Sequence, residues 1–184
     1  VPVRHRLEIQ AVIILALSVL ATGCGRMVAI DYEPTNPLKG QGTVTVLPFR
    51  YEAAESNRVR PREVETNRAA RTELYLSQEI GAFCTEAFRR ELIHSGYTIE
   101  EAGPLTVSGT ITRFFVDWRE DIERLFELHA VYRVGPIAKT GFAWECSSIQ
   151  RGPNTLAQDS VLIRRDTADC MQRFIRAAQE AHVL

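Results

Sequence analysis

Two periodicities dominate the chain. Leu76, Ile80, Phe83, Cys84, Ala87, Phe88 and Leu92 recur at steps of three and four, which predicts an amphipathic helix with one apolar stripe. Arg89, Arg90 and Glu91 fall mostly off that stripe. Gly96 suits the left-handed turn that ends a helix, with His94 in the last turn. Beyond Gly103-Pro104 the period changes to two, and Leu105, Val107, Gly109 and Ile111 alternate with Thr106, Ser108, Thr110 and Thr112 as in a half-buried strand. The apolar positions then switch to Phe114, Val116 and Trp118, so the outward face at that end is expected to be covered by another element or a partner. A second strand from about Arg124 to Val134 puts Phe126, Leu128, Ala130, Tyr132 and Val134 on one side, and Phe142 to Ser147 reads as a third. Gly135-Pro136 and Gly141 mark the turn between them, which gives an antiparallel meander.

The flanking segments complete the plan. Thr43–Phe49, TVTVLPF, is a short β-branched strand. Arg50 to Arg71 is polar and mixed in charge, which reads as a solvated loop, with a lid or partner-binding loop as the functional alternative. Residues 25–42 carry Pro34, Pro37, Gly40 and Gly42 without a period and read as a tether. After Gly152-Pro153, Asn154 can cap a helix opening at Leu156, whose later part shows a stripe of Ala168, Met171, Phe174, Ile175 and Ala178. Asp166 is expected to mark a restart after a kink. The order is β-α-β-β-β-α, and each helix has one apolar side. The predicted fold is α+β, an antiparallel sheet with two helices packed on one face in two layers.

The first 24 residues change the picture. Arg4, His5 and Arg6 precede a run, Ala11 to Ala21, that is apolar except for Ser18. Eleven residues match a signal-peptide core and fall short of the roughly 20 that span a bilayer as a helix. Ala21-Thr22-Gly23-Cys24 resembles the bacterial lipobox, although Ala21 stands where leucine is familiar, Leu20 lies one place back, and Glu8 interrupts the basic head. That resemblance implies a lipoprotein signal peptide over 1–23 and lipidation of Cys24; composition and length then give a tether over 24–42 and a single domain over 43–184. An ordinary secreted protein and a buried apolar segment are the competing readings. Several lipid chains on one cysteine anchor durably where a single chain does not. Gly25, in place of the aspartate that often retains such proteins at the inner membrane, points to the outer membrane and its periplasmic face.

Composition narrows the chemistry. Residues 24–184 keep 20 of the 22 Lys and Arg and 22 of the 23 Asp and Glu, a net charge of about −2 that recommends no nucleic-acid partner. Cys84, Cys146 and Cys170 are expected as core thiols, with one pair plus one free thiol as the alternative. No two cysteines stand at metal-ligand spacing, and His94 and His129 are remote from them in sequence. No elbow surrounds Ser77, Ser108, Ser147, Ser148 or Ser160, and no glycine-rich phosphate loop is present. Cys146 and His129 fall on neighbouring predicted strands, but His129 belongs to the polar face with Glu127 and Arg133. Asp117, Glu120, Asp121 and Glu123 form a run and not an opposed pair of carboxylates. Asp166 and Asp169 share a helix side. No catalytic residue, cofactor or metal site is expected. Phe114, Phe115, Trp118, Tyr132, Phe142 and Trp144 are concentrated on the meander, mostly as core, with a fraction available as a contact patch.

The stretches "LYLSQEIGAFCTEAFRRELIHSGYTI" and "GPLTVSGTITRFFVDW", taken with the lipobox and "TVTVLPF", resemble the YajG-like family of small bacterial envelope lipoproteins. The likeness covers about 50 residues in detail and the order of elements over about 11–180. It implies the same α+β fold and an envelope location, and supplies no reaction. A related plan occurs in envelope lipoproteins that accompany lipid transporters or assemble surface structures. The expected role is therefore non-catalytic binding or assembly at a membrane reached through Cys24, with an envelope complex or a homo-oligomer as partner. The alternative is a lipid-transporter accessory that binds acyl chains.

Overall fold

Three long strands, β7 (Leu105–Arg119), β8 (Glu123–Gly135) and β9 (Phe142–Pro153), form the antiparallel meander. The computed structural model describes residues 25–34, 37–67, 73–119, 123–136, 141–153, 155 and 157–184. Cys24, Glu120, Asp121, Asn154 and Leu156 lie outside them. The alternation read from β8 holds: Phe126, Leu128, Ala130, Tyr132 and Val134 are all buried.

The switch of apolar positions along β7 has a different cause from the one expected. The pairing of β7 with β8 shifts register between Ile111 and Arg113, a bulge that adds one residue to one strand. Val107 and Ile111 before it, and Phe114 and Val116 after it, are all buried in one core. One extra residue inverts the parity of the side chains, so the apolar positions stay on one face and no second cover is needed.

The other edge of β7 carries three short strands in succession, each parallel to it: β2 (Thr43–Val46), β3 (Arg50–Tyr51) and β4 (Glu63–Thr66). β6 (Thr98–Ile99) pairs with β2, β5 (Leu74–Leu76) pairs antiparallel with β4, and β1 (Arg26–Val28) pairs parallel with β5. The sheet is therefore mixed and not antiparallel throughout. The Arg50–Arg71 stretch, expected as a loop, supplies β3, β4 and a four-residue helix α1 (Glu52–Glu55).

Two long helices, α2 (Ile80–His94) and α3 (Gln158–Glu180), lie on one face of the sheet. Phe88 of α2 and Phe174 of α3 both stack on Tyr132 of β8. The predicted end of α2 is present: Gly96 has φ +95°, its N–H donates to the Ile93 carbonyl, and Tyr97 N–H reaches Leu92. Those two bonds are the Schellman pattern. His94 sits exposed in the last turn. Glu91, expected off the stripe, is fully buried and accepts hydrogen bonds from Tyr32 Oη at 2.5 Å and Gln172 Nε2 at 3.3 Å. α3 is one continuous helix through Asp166, so the restart expected there is not found.

The stretch read as a tether is attached to the body. Its first residues form β1, Tyr32 packs edge-on against Phe83, and Gly40 N–H donates to Ser95 O. Pro and Gly remove the periodicity of such a segment without preventing its other side chains from docking.

Cys146 and Cys170 form a disulfide with Cα atoms 5.7 Å apart, which corrects the expectation of three core thiols; Cys84 is free and buried. The bridge ties α3 to β9 across 24 residues. Replacing both cysteines by alanine is expected to cost about 3–4 kcal/mol, from loop-closure entropy returned to the unfolded chain. Urea unfolding of the oxidised protein and the double variant would show it.

Candidate functional site

Where β2 ends, Pro48 and Phe49 carry the chain towards α1, and the Phe49 N–H is taken up by Thr85 Oγ1 on α2 at 2.8 Å. This contact sets β3 and α1 beside the first turns of α2 and leaves an open groove of about 560 Å³ between them. Pro48, Phe49, Tyr51, Ala54, Pro61 and Ala82 give it an apolar lining. At the rim Arg50 Nε donates to Glu55 Oε1 at 2.8 Å and Nη2 to Oε2 at 2.5 Å. These hydrogen bonds hold the Glu55 carboxyl below its usual range. The volume lies within the span of small-molecule sites. Its lining offers apolar contact and one ion pair, with no nucleophile beside a base. Part of the segment read as a loop with a possible binding role thus forms one wall.

A second hollow of about 420 Å³ lies on the outward face of the sheet, where β7 begins and β8 ends. Thr45, Leu47, Thr106, Ser108, Arg133 and Ala143 line it. Leu47 is its exposed large apolar residue.

The residues tested for chemistry do not converge. His129 stands opposite Ser147 on the outward face and meets Glu127 Oε1 at 2.9 Å, while Arg113 Nε meets Glu127 Oε2 at 2.6 Å. Cys146 faces the core, bonded to Cys170, so the two strands bring no dyad together. In the acidic run, Asp117 accepts a hydrogen bond from Asn67 and Glu123 faces Arg151 at 3.5 Å. Asp169 is partly exposed and is held by Ser148 Oγ at 2.9 Å and Arg173 at 2.6 Å.

Asp166 differs from Asp169 in being fully buried. Burial, the largest cause, raises its pKa to about 7, with Asp169 adding to the rise and Ser148 and Arg173 opposing it. A folded pKa above the unfolded one means that the folded chain binds more protons, so stability falls as pH rises from about 4 towards 7. Asp166→Asn should therefore gain stability over the native chain across that window, reaching about 4 kcal/mol near pH 8. Urea midpoints of both proteins at pH 4, 6 and 8 check this; a constant difference would refute it.

Sequence reasoning missed a buried ion cluster. Asp159, in the first turn of α3, faces Arg124 of β8 and, at 3.1 Å, Arg26 of β1. Asp159 is 1 % exposed and Arg124 lies 5.8 Å from the centre of the Trp118 ring. The three residues are 26, 124 and 159, far apart in sequence, and each by itself resembles a surface charge. Of the meander aromatics Phe114 and Tyr132 are buried, Phe142 and Trp144 lie half-buried against Phe174, and Phe115 and Trp118 are half-buried, with the Arg113 guanidinium 4.2 Å from the centre of the Phe115 ring. Exposed large apolar side chains are scattered at Met27, Leu47, Ile93 and Ile149.

Neither a family model nor a curated protein sequence matches the chain. Solved structures do match it in fold. The crystal structure of protein XCC0632 from Xanthomonas campestris, described with the family designation DUF330, aligns with 7 % identity and a TM-score of 0.62 over 85 % of this chain and 99 % of its own. A minor lipoprotein from Acinetobacter baumannii aligns with 11 % identity and a TM-score of 0.43, covering 80 % of this chain and 96 % of its own. The rare lipoprotein B from Shewanella oneidensis aligns with 8 % identity and a TM-score of 0.44, over 77 % and 96 %. The first of these shows a shared α+β fold.

Proposed function

We propose that this chain is a non-catalytic, lipid-anchored protein of the bacterial envelope with a binding or assembly role. The observation that carries the reading is the apolar run Ala11 to Ala21 closing on Ala21-Thr22-Gly23-Cys24, directly ahead of a folded body. Lipid on Cys24 would hold that body at the periplasmic face of the outer membrane, in keeping with the resemblance to YajG-like lipoproteins. Open grooves of about 560 and 420 Å³ among the described residues are places where such a role could be exercised.

The test is metabolic labelling with a palmitate analogue in a bacterial host, followed by membrane flotation. The full chain should label and float, and Cys24→Ala should do neither. A native chain that is secreted without label would overturn the reading.

The groove between α1 and α2 supports a second reading, an accessory lipoprotein of a lipid transporter that takes acyl chains. Ala54→Trp would fill its apolar lining. A fluorescent fatty acid that binds the native body and not this variant would favour the second reading, and equal binding to both would remove it.

A further inference from the structure

The connection between Cys24 and the body is too short to act as a tether. Only Gly25 separates Cys24 from β1, so the Cα atoms of Cys24 and Arg26 are at most about 7 Å apart. The chain is already fixed at that point. A Cβ on Gly25 would lie 2.6 Å from Cε2 of Tyr75, which shows how closely its backbone rests on that ring. Arg26 N–H donates to Glu73 O at 2.8 Å, and the Arg26 guanidinium pairs with Asp159 at 3.1 Å. Asp159 in turn holds Arg124, which stands opposite Trp118 on β7 and Gly152 on β9. The exit from Cys24 is thus bolted to the end of the sheet where β7 finishes and β8 starts.

We propose that this end of the body lies against the lipid head groups and that the short exit holds it there in one orientation. The inference rests on lipidation of Cys24. Met27, three residues after the anchor and 64 % exposed, is paired in register with Tyr75, whose ring has the Arg60 guanidinium 5.9 Å from its centre. An exposed methionine beside a tyrosine and an arginine suits the boundary between acyl chains and head groups, where amphipathic side chains settle. By register Met27 is level with about Arg113 of β7, so the hollow at Thr106, Ser108 and Arg133 lies roughly 20 Å further along that strand, towards the opposite end of the meander. It faces away from the anchoring membrane, into the space a partner would occupy.

The full lipidated chain is reconstituted in vesicles of phosphatidylethanolamine and phosphatidylglycerol, with a fluorophore on Met27→Cys or on Ala143→Cys. Native cysteines do not compete, since the Cys24 thiol carries the lipid, Cys84 is buried, and Cys146 and Cys170 are bridged. Quenching by head-group spin-labelled lipid should be at least fivefold stronger at position 27 than at 143. Ten Gly/Ser residues inserted between Gly25 and Arg26 should abolish that difference while flotation is kept. Equal quenching at the two sites in floating protein overturns the orientation. A difference that survives the insertion overturns the role of the short exit. Protein that carries no lipid and does not float removes the anchoring premise, and the orientation with it.

Discussion

Replacing Asp159 by alanine is expected to destabilise the body by about 3–5 kcal/mol, the usual cost of removing one partner from a buried ion pair. The carboxylate is 1 % exposed and is shared by Arg124, itself 7 % exposed, and Arg26. Its removal leaves both guanidinium groups short of their common acceptor, one of them deep in the protein. The desolvation of Arg124 is then offset less than in the native chain. Arg26→Ala should cost less, because that side chain is 24 % exposed and water can replace much of what is lost. Asp159→Leu combined with Arg124→Met should recover much of the stability, since an apolar pair of similar volume carries no desolvation penalty. Urea unfolding of the four proteins distinguishes these cases. A loss below 1 kcal/mol for Asp159→Ala would mean that the cluster is solvated and is not what holds β1. The same variant should loosen the exit from Cys24, which links this stability measurement to the orientation of the body.

That cluster also shows where sequence reading reaches its limit. The meander, the end of α2 at Gly96 and the apolar stripe of α3 were legible because each is a repeating pattern along one segment. β2 was legible by its β-branched run, but its parallel pairing with β7 was not, since strands of two to four residues are too short to fix a neighbour or a direction. The bulge near Thr112 was visible only as a change of phase, and a change of phase fits either a flipped face or an inserted residue. Register decides between them, and register belongs to the paired strand. Cys146 and Cys170 read as hydrophobes because both are buried; what makes them a pair is the packing of α3 on β9. Asp159, Arg124 and Arg26 needed the same tertiary information, as did Glu91 with Tyr32. The Cys24 site is a different case: its signal is local composition ahead of the fold, and it is legible without any contact.

Phe174→Ala is expected to be as costly as the loss of Asp159, about 3–5 kcal/mol, and its effect should be unevenly distributed over the sheet. The Phe174 ring lies 5.8 Å from Phe88, 5.1 Å from Tyr132, 6.2 Å from Phe142 and 6.4 Å from Trp144. It therefore joins α2, β8 and β9 at one point. Phe174→Leu, which keeps most of the volume, should lose under about 1.5 kcal/mol plus a modest term for the ring contacts. Among the described residues β9 pairs only with β8, so α3 is its second support. Cys170 and Phe174 stand one helical turn apart and both reach that strand, one by the bridge to Cys146 and one by the rings of Phe142 and Trp144. With the ring removed, the start of β9 keeps β8 but loses its helix contact, while the part near Cys146 stays bridged. Amide exchange at Phe142–Trp144 should accelerate more than at Ser147–Ile149, and more than in β7, whose two edges are both paired. Uniform acceleration along β7, β8 and β9 would instead show that the sheet opens only as a whole, and that Phe174 stabilises the body without holding the edge strand in particular.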